Sequence, residues 1–305
     1  MSSSSLSRAL DSDIAWSFRT SWSARISSLS LFVLFAAALL APLLATQNPY
    51  DISQLFLLDS ELPPSWIEGG DPRYLLGTDQ QARDVYSSIL YGLRLSLIVG
   101  FASVALAATL GVSLGLLGGF VGGTVDGAIM RVADVLLSFP AILVALLVNG
   151  IARGVLPADR HADAAIWVMI LAIGLTNWVQ YARTVRGSTM VERHKEYVQA
   201  ARINGVSGMG IMIHHILPNV LGPVLVIATI NLGMAVLTEA TLSFLGVGMP
   251  ATQPSLGTLI RIGNEYLFSG IWWVVIFPSV VLVVLVLAVN VLGDWLRDAL
   301  NPKLR

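Results

Sequence analysis

The chain has 305 residues, 55% of them hydrophobic and only 12% charged, with a mean hydropathy of +0.74. Soluble domains carry about 25% charged residues, so this composition describes a polytopic α-helical membrane protein. A net charge of −1, unevenly spread, selects no partner, and the absence of cysteine excludes disulfides and thiol-based metal or redox sites.

Residues 1–27 are Ser-rich, carry Arg8, Arg19 and Arg25, and are expected to form a loosely ordered cytoplasmic tail. The apolar run at 29–45 predicts a first membrane helix within 28–46. Its basic leader also permits a signal-peptide reading, but that leader is long and more spans follow. A polar stretch rich in Asp, Glu, Pro and Gly fills 47–92, and the remaining core occupies 93–305. Within it, spans are predicted at 95–120, 128–148 and 164–181. A Gly-rich turn (GGFVGGTVDG) separates the first two, and a polar loop at 149–163 precedes the third. A charged, Ala-rich helix–turn–helix at 191–218 comes next, then a fifth span at 220–244, a loop at 246–270 and a sixth span at 271–292. The fold class is all-α with six membrane helices.

Six spans place both termini on one side. Twelve of the 18 Lys and Arg fall on that side: three in the N-terminal tail, Arg131, five within 183–217 and three in the C-terminal tail. Arg73, Arg83, Arg94, Arg153, Arg160 and Arg261 fall on the other. The positive-inside bias therefore puts both termini and the 191–218 loop in the cytoplasm, and 47–92 outside.

In the second span Ser103, Ala107, Gly111, Gly115 and Gly119 recur every four residues, one ridge of small side chains that another backbone can approach closely. It reads as helix packing or as a sliding surface between two gating states. Arg131 and Asp134, three apart at the start of the third span, are spaced for a same-face pair, and Asp126 suits a helix N-terminus. Pro140 is expected to kink that span. Kink and charge pair are open to an architectural or a bending role. Glu239 lies within the fifth span, where an ionisable group marks a functional candidate. With Asn231 and Thr238 it forms a polar strip lining a pathway, or else it anchors the following loop by hydrogen bonds.

Several chemistries find no support. Nothing matches GxxxxGK[ST], and the two lysines, Lys195 and Lys303, follow no glycine loop, so the chain has no P-loop for ATP. His161, His194, His214 and His215 do not form a metal set; His214 and His215, adjacent on a helix, project about 100° apart. No Ser/His/Asp spacing indicates a hydrolase.

The 191–218 loop places Glu196, Gln199 and Ala200 on one helical face with Ile203 a turn further on, breaks at Asn204-Gly205, and re-forms as a second helix ending before Pro218. Ile211, Ile213 or Ile216 is the expected buried residue of that second helix. The physical alternatives are a rigid docking projection and a merely solvated amphipathic loop.

This stretch resembles the EAA loop of ABC-importer permeases through Gln199-Ala200-Ala201, Gly205 and Ile216-Leu217-Pro218, with Gln199 where the motif has Glu. Further stretches resemble the dipeptide/oligopeptide/nickel branch, and its second permease subunit. These are LGTDQQARDV with Ala82 for Gly, DGAIMRVADVLLSFP, EATLSFLGVGMPATQPSLG with Leu256 for Trp, and GDWLRDALNPKLR with Asn301 for Asp. The resemblance implies a type I importer permease fold in a bacterial inner membrane, paired as a heterodimer with a homologous permease subunit. It implies two cytoplasmic ABC ATPases that use ATP and Mg, an extracytoplasmic solute-binding protein, no cofactor on this chain, and no nucleic-acid partner. The coupling residues it implies are Glu196, Gln199, Ala200, Ala201, Gly205 and Pro218. The cargo it implies is dipeptides or oligopeptides, with nickel chelates, glutathione or another small solute as alternatives. Two different classes, an ion-coupled secondary transporter and a structural membrane subunit, are set against it. The first would need several intramembrane ionisable groups, of which Glu239 is the one good candidate.

Overall fold

The computed structural model describes residues 13–299; residues 1–12 and 300–305, with Arg8 and the Asn301 departure, lie outside the described residues. The helices are α1 Asp13–Thr20, α2 Trp22–Leu39, α3 Ala41–Leu44, α4 Val85–Val121, α5 Gly123–Leu137, α6 Ala141–Val155, α7 His161–Glu192, α8 Glu196–Ile203, α9 Gly208–Phe244, α10 Leu256–Glu265 and α11 Trp273–Ala299. No β-strand occurs among the described residues. Among the described residues, five helices are long and apolar enough to cross a membrane, or six when α5 and α6 count as one bent span.

Four features differ from the sequence expectation, each for a local reason. Part of the tail is helical: α1 lies within it and α2 begins at Trp22, where Ser21 caps the helix by accepting from the Ala24 amide at 3.3 Å. The third span does not kink at Pro140 but breaks there, α5 and α6 meeting at 94°. Pro140 has no amide proton and crowds the preceding turn, so the helix stops and Pro140 (φ −54°, ψ 131°) serves as the N-cap of α6.

The helix after Gly205 does not end before Pro218. It runs on as α9 through a π-helical turn, Ile211–Ile216, in which the Leu217 amide donates to the Met212 carbonyl. An α-helical register would aim the Pro218 ring at the His214 carbonyl; the wider turn removes that clash, and the Asn219 side chain donates to the His215 carbonyl at 2.7 Å. Finally, residues 246–270 are not all loop. Ser255 accepts from the Thr258 amide at 3.3 Å and starts α10.

α4 is the central element, packed on α7, α9, α10 and α11. Its 37 residues span about 55 Å, beyond the ~30 Å hydrocarbon core, so its ends stand outside the apolar layer. Its ridge faces α7. A Cβ on Gly111 would lie 2.4 Å from the Trp178 carbonyl oxygen and from Tyr181 Cβ; one on Gly115, 2.5 Å from the Ala182 oxygen; one on Gly119, 2.7 Å from Thr189 Cβ. Ser103 and Ala107 are buried on the same line. The first turn of α4 is fixed by Asp84, whose carboxylate accepts from the Ser87 amide at 3.0 Å and from Thr46 Oγ1 at 2.6 Å.

Gly111→Ala is expected to cost about 1–3 kcal/mol by overpacking the seam. Gly127→Ala, whose Cβ meets nothing within 4 Å, should leave stability unchanged or slightly raised. Thermal unfolding in detergent followed by tryptophan fluorescence compares them, and equal midpoints for Gly111→Ala and wild type would refute a tight seam.

Candidate functional site

The 191–218 loop is braced from below and bare on top. Val198 and Ala201 of α8 and Ile211, Met212 and Ile216 of the π-helical turn are buried, while Ile213 is exposed. At its root the Tyr197 hydroxyl donates to Glu192 Oε2 at 2.6 Å, Lys195 Nζ pairs with Glu192 Oε1 at 2.6 Å, and Asn219 Nδ2 donates to the Tyr197 oxygen at 3.2 Å. This knot ties the ends of α7, α8 and α9 together. Burial, with the Glu192 carboxylate beside it, pushes the Tyr197 hydroxyl up to about 12. Arg193 donates to the Gly119 carbonyl at 3.0 Å, a cation on the C-terminal end of α4, and Arg202 lies over the Phe120 ring at 5.5 Å.

The turn is a Schellman motif. The Val206 amide donates to the Ala201 carbonyl and the Gly205 amide to the Arg202 carbonyl, both at 3.0 Å, with Gly205 in the left-handed region at φ +77°. Ser207 then caps α9 by accepting from the Gly210 amide at 3.2 Å. The outward face carries Glu196, Gln199, Ala200 and, 87% exposed, Ile203; Met209, 61% exposed, continues the apolar tip. Of the six residues that the resemblance implies for coupling, Ala201 lies inside and Pro218 shapes the course of α9. Glu196, Gln199 and Ala200 share the outer face, and Gly205 turns it. Sequence reasoning missed Met209 and the Arg193 cap, neither of which belongs to the motif.

The charge pair of the third span is made differently from the expectation. Asp134 pairs with Arg183 of α7 at 2.6 Å and Asp126, in the first turn of α5, pairs with Arg186; Arg131 makes no ion pair among the described residues. Both carboxylates turn toward α7, which carries two guanidinium groups one helical turn apart.

Of the three polar residues in this span, Asn231 and Glu239 are buried, Glu239 at 0% exposure, and Thr238 is half-buried and donates to the Met234 carbonyl at 2.8 Å. Glu239 Oε2 accepts from Ser96 Oγ at 2.8 Å and Oε1 from Ser243 Oγ at 2.7 Å. Ser243 Oγ accepts from the Met249 amide at 3.1 Å, and Ser96 Oγ from the Leu256 amide at 3.3 Å. Glu239 thus holds both ends of the segment from Met249 to Leu256.

A second anchor reaches the same segment. Arg83 and Asp79, 2% and 3% exposed, pair at 3.2 Å, and Arg83 Nη1 donates to the Ala251 carbonyl at 2.8 Å. Between them Ala82 is buried at φ +58°, which explains why glycine is usual there. Leu256, replacing the Trp, is fully buried. Three of the four histidines bond backbone carbonyls. His161 Nε2 donates to the Leu156 carbonyl at 2.9 Å, His194 Nδ1 to Met190 at 2.8 Å and His214 Nδ1 to Gly210 at 3.2 Å. No metal-holding group of three His, Asp or Glu occurs among the described residues.

This arrangement, long packed helices with a braced two-helix loop between two spans, is that of a multi-pass membrane protein. Residues 111–305 match the family described as binding-protein-dependent transport system inner membrane component, and the chain belongs to that family. It is 40% identical over 288 residues to the dipeptide transport system permease protein DppC of Escherichia coli K12, covering 94% of this chain and 91% of that one. It is 37% identical over 277 residues to the di/tripeptide transport system permease protein DppC of Pseudomonas aeruginosa, covering 91% and 87%. A chain of the inward-facing MetNI methionine ABC transporter superposes with a TM-score of 0.55 at 21% identity, over 70% of this chain and 96% of that one. This likeness gives the fold, the type I importer permease fold.

Substitutions at two positions check the anchors. Glu239→Ala strands the Ser96 and Ser243 hydroxyls and should cost about 1–3 kcal/mol, with faster proteolysis within 246–256; Glu239→Gln, which still accepts one hydroxyl, should cost less. Unchanged proteolysis in Glu239→Ala would refute the anchoring. Ala82→Gly relieves the left-handed strain and should raise the thermal midpoint, whereas Ala82→Val should lower it.

Proposed function

We propose that this chain is the second permease subunit of an ATP-driven ABC importer that moves dipeptides or oligopeptides into the cytoplasm. It forms a heterodimer with a homologous permease subunit. Two cytoplasmic ATPase subunits bind ATP and Mg and supply the energy, and an extracytoplasmic solute-binding protein delivers the cargo. Both termini and the 191–218 loop face the cytoplasm, in line with the Lys and Arg distribution.

The observation that carries this reading is the braced loop. Its exposed face presents Glu196, Gln199, Ala200 and Ile203 on a base tied to α4, α7 and α9. An apolar tip held rigidly in water is a docking element, and a rigid one transmits displacement. Gln199 meets the ATPase through its amide rather than a charge. The peptide cargo rests on the relatives, which are dipeptide and di/tripeptide permeases matched over most of their length. An ion-coupled mechanism is disfavoured because Glu239 is fully used in holding a loop.

A Cβ on Gly205 meets no neighbour within 4 Å, so a substitution there acts only through φ +77°. A β-branched residue cannot hold that conformation, and Asn holds it best among the others. Gly205→Val is expected to insert and assemble normally yet cut ATP-driven dipeptide uptake by about tenfold or more, taking roughly 1–2 kcal/mol of strain per left-handed residue as a lower bound. Gly205→Asn should recover most of it. Wild-type uptake by Gly205→Val at normal expression would overturn the coupling assignment.

A further inference from the structure

A cavity of about 350 Å³ opens at the end of α9 opposite the loop, between the last turns of α6, the first turns of α7, residues 246–252 and α10. That volume lies in the range that holds small ligands, about 300–1,000 Å³. Arg153, Arg261 and His161 line it, and no Asp or Glu does. Neither arginine has a hydrogen-bond or ion-pair partner among the described residues, and the Nε of Arg261 is buried without an acceptor. A buried guanidinium N–H without an acceptor is costly, and an anion entering the cavity would satisfy it. His161 uses Nε2 on the Leu156 carbonyl, and Asn149 donates to the Val247 carbonyl, so both hold the wall in place. Apart from Thr252 the rest of the lining is apolar and mostly small, including Ala152, Ala162 and Ala165.

We propose that this cavity is a carboxylate subsite that receives the C-terminal carboxylate of a peptide in transit, with Arg153 and Arg261 as its anion-binding groups. The inference rests on the peptide-importer reading above. Two guanidinium groups beside an alanine-lined wall match a free carboxylate on a small apolar body. A lipid phosphate with two acyl chains would need a longer apolar channel. Guanidinium groups bind carboxylates bidentately, and an uncompensated pair focuses anions toward the mouth of the cavity.

The chain has no cysteine, so Ala162→Cys, exposed on the cavity wall, supplies its one thiol. In the assembled transporter, an anionic methanethiosulfonate should label Cys at that position about tenfold faster than a cationic one of similar size. The ratio should fall toward one when Arg153→Gln and Arg261→Gln are added. Dialanine should slow labelling, and dialaninamide, which lacks the carboxylate, should not. A ratio near one in the otherwise native chain, or equal protection by dialaninamide, would overturn the proposal. Protection by the binding protein without peptide, and none by dialanine, would assign the arginines to an acidic side chain of that protein and also overturn it.

Uptake of dialanine by Ala162→Cys separates the two layers of inference. Normal uptake with failed charge selectivity removes the subsite and leaves the importer standing. Absence of dipeptide uptake by the unsubstituted complex removes the peptide reading and the subsite with it.

Discussion

In a membrane, apolar helices gain little by touching each other rather than lipid, so the close backbone contact between α4 and α7 is the constraint on which the other contacts depend. Gly111, Gly115 and Gly119 bring α4 onto Trp178, Tyr181, Ala182 and Thr189, with no room for a β-carbon. With that seam closed, both ends of α4 become fixed platforms. At one end the Gly119 carbonyl receives Arg193, and Phe120 lies against Gly208 and under Arg202, which seats the two-helix loop. At the other, Asp84 gathers Thr46 and Ser87, while Ser96 receives the Leu256 amide and donates to Glu239. A seam loosened by one methyl group would shift both platforms together.

What was legible in the sequence was whatever is local. Hydropathy marked the spans, Asn204-Gly205 marked a left-handed turn, and a four-residue repeat marked the ridge. Partners chosen across the fold were not legible. The spacing of Arg131 and Asp134 permits a pair within one helix, yet Asp134 meets Arg183, 49 residues away, because α5 presents its carboxylates to α7. Proline was legible as a disturbance but not in its outcome: Pro140 ends a helix, whereas Pro218 is absorbed by a widened turn. The difference follows from what the neighbouring turns can supply, since Asn219 satisfies a carbonyl beside Pro218. Ala201 reads as part of an exposed motif but faces inward, because the buried side of an eight-residue helix is set by what lies beneath it. The departures at Ala82 and Leu256 are intelligible only once backbone angle and burial are known.

The π-helical turn before Pro218 has a consequence for how the two ends of the molecule communicate. A break there would leave the loop on a hinge. Instead Gly208–Phe244 is one continuous helix of 37 residues, about 55 Å long. The loop knot at Tyr197 and Asn219 sits near its start, and Glu239 and Ser243, which hold Met249, sit at its end. The segment that Glu239 anchors also forms one wall of the arginine-lined cavity, through Met249, Pro250 and Thr252. In the proposed importer, a displacement imposed on the loop by a docked ATPase would enter one continuous helix, with Pro223 inside it, and the far end of that helix carries the cavity wall. α5 and α6 offer no equivalent route, because their 94° break at Pro140 interrupts the helical hydrogen bonds between Asp134 and Asn149. In the proposed importer, α9 is the element through which ATP-driven motion of the loop reaches the site where a peptide carboxylate would be held or released.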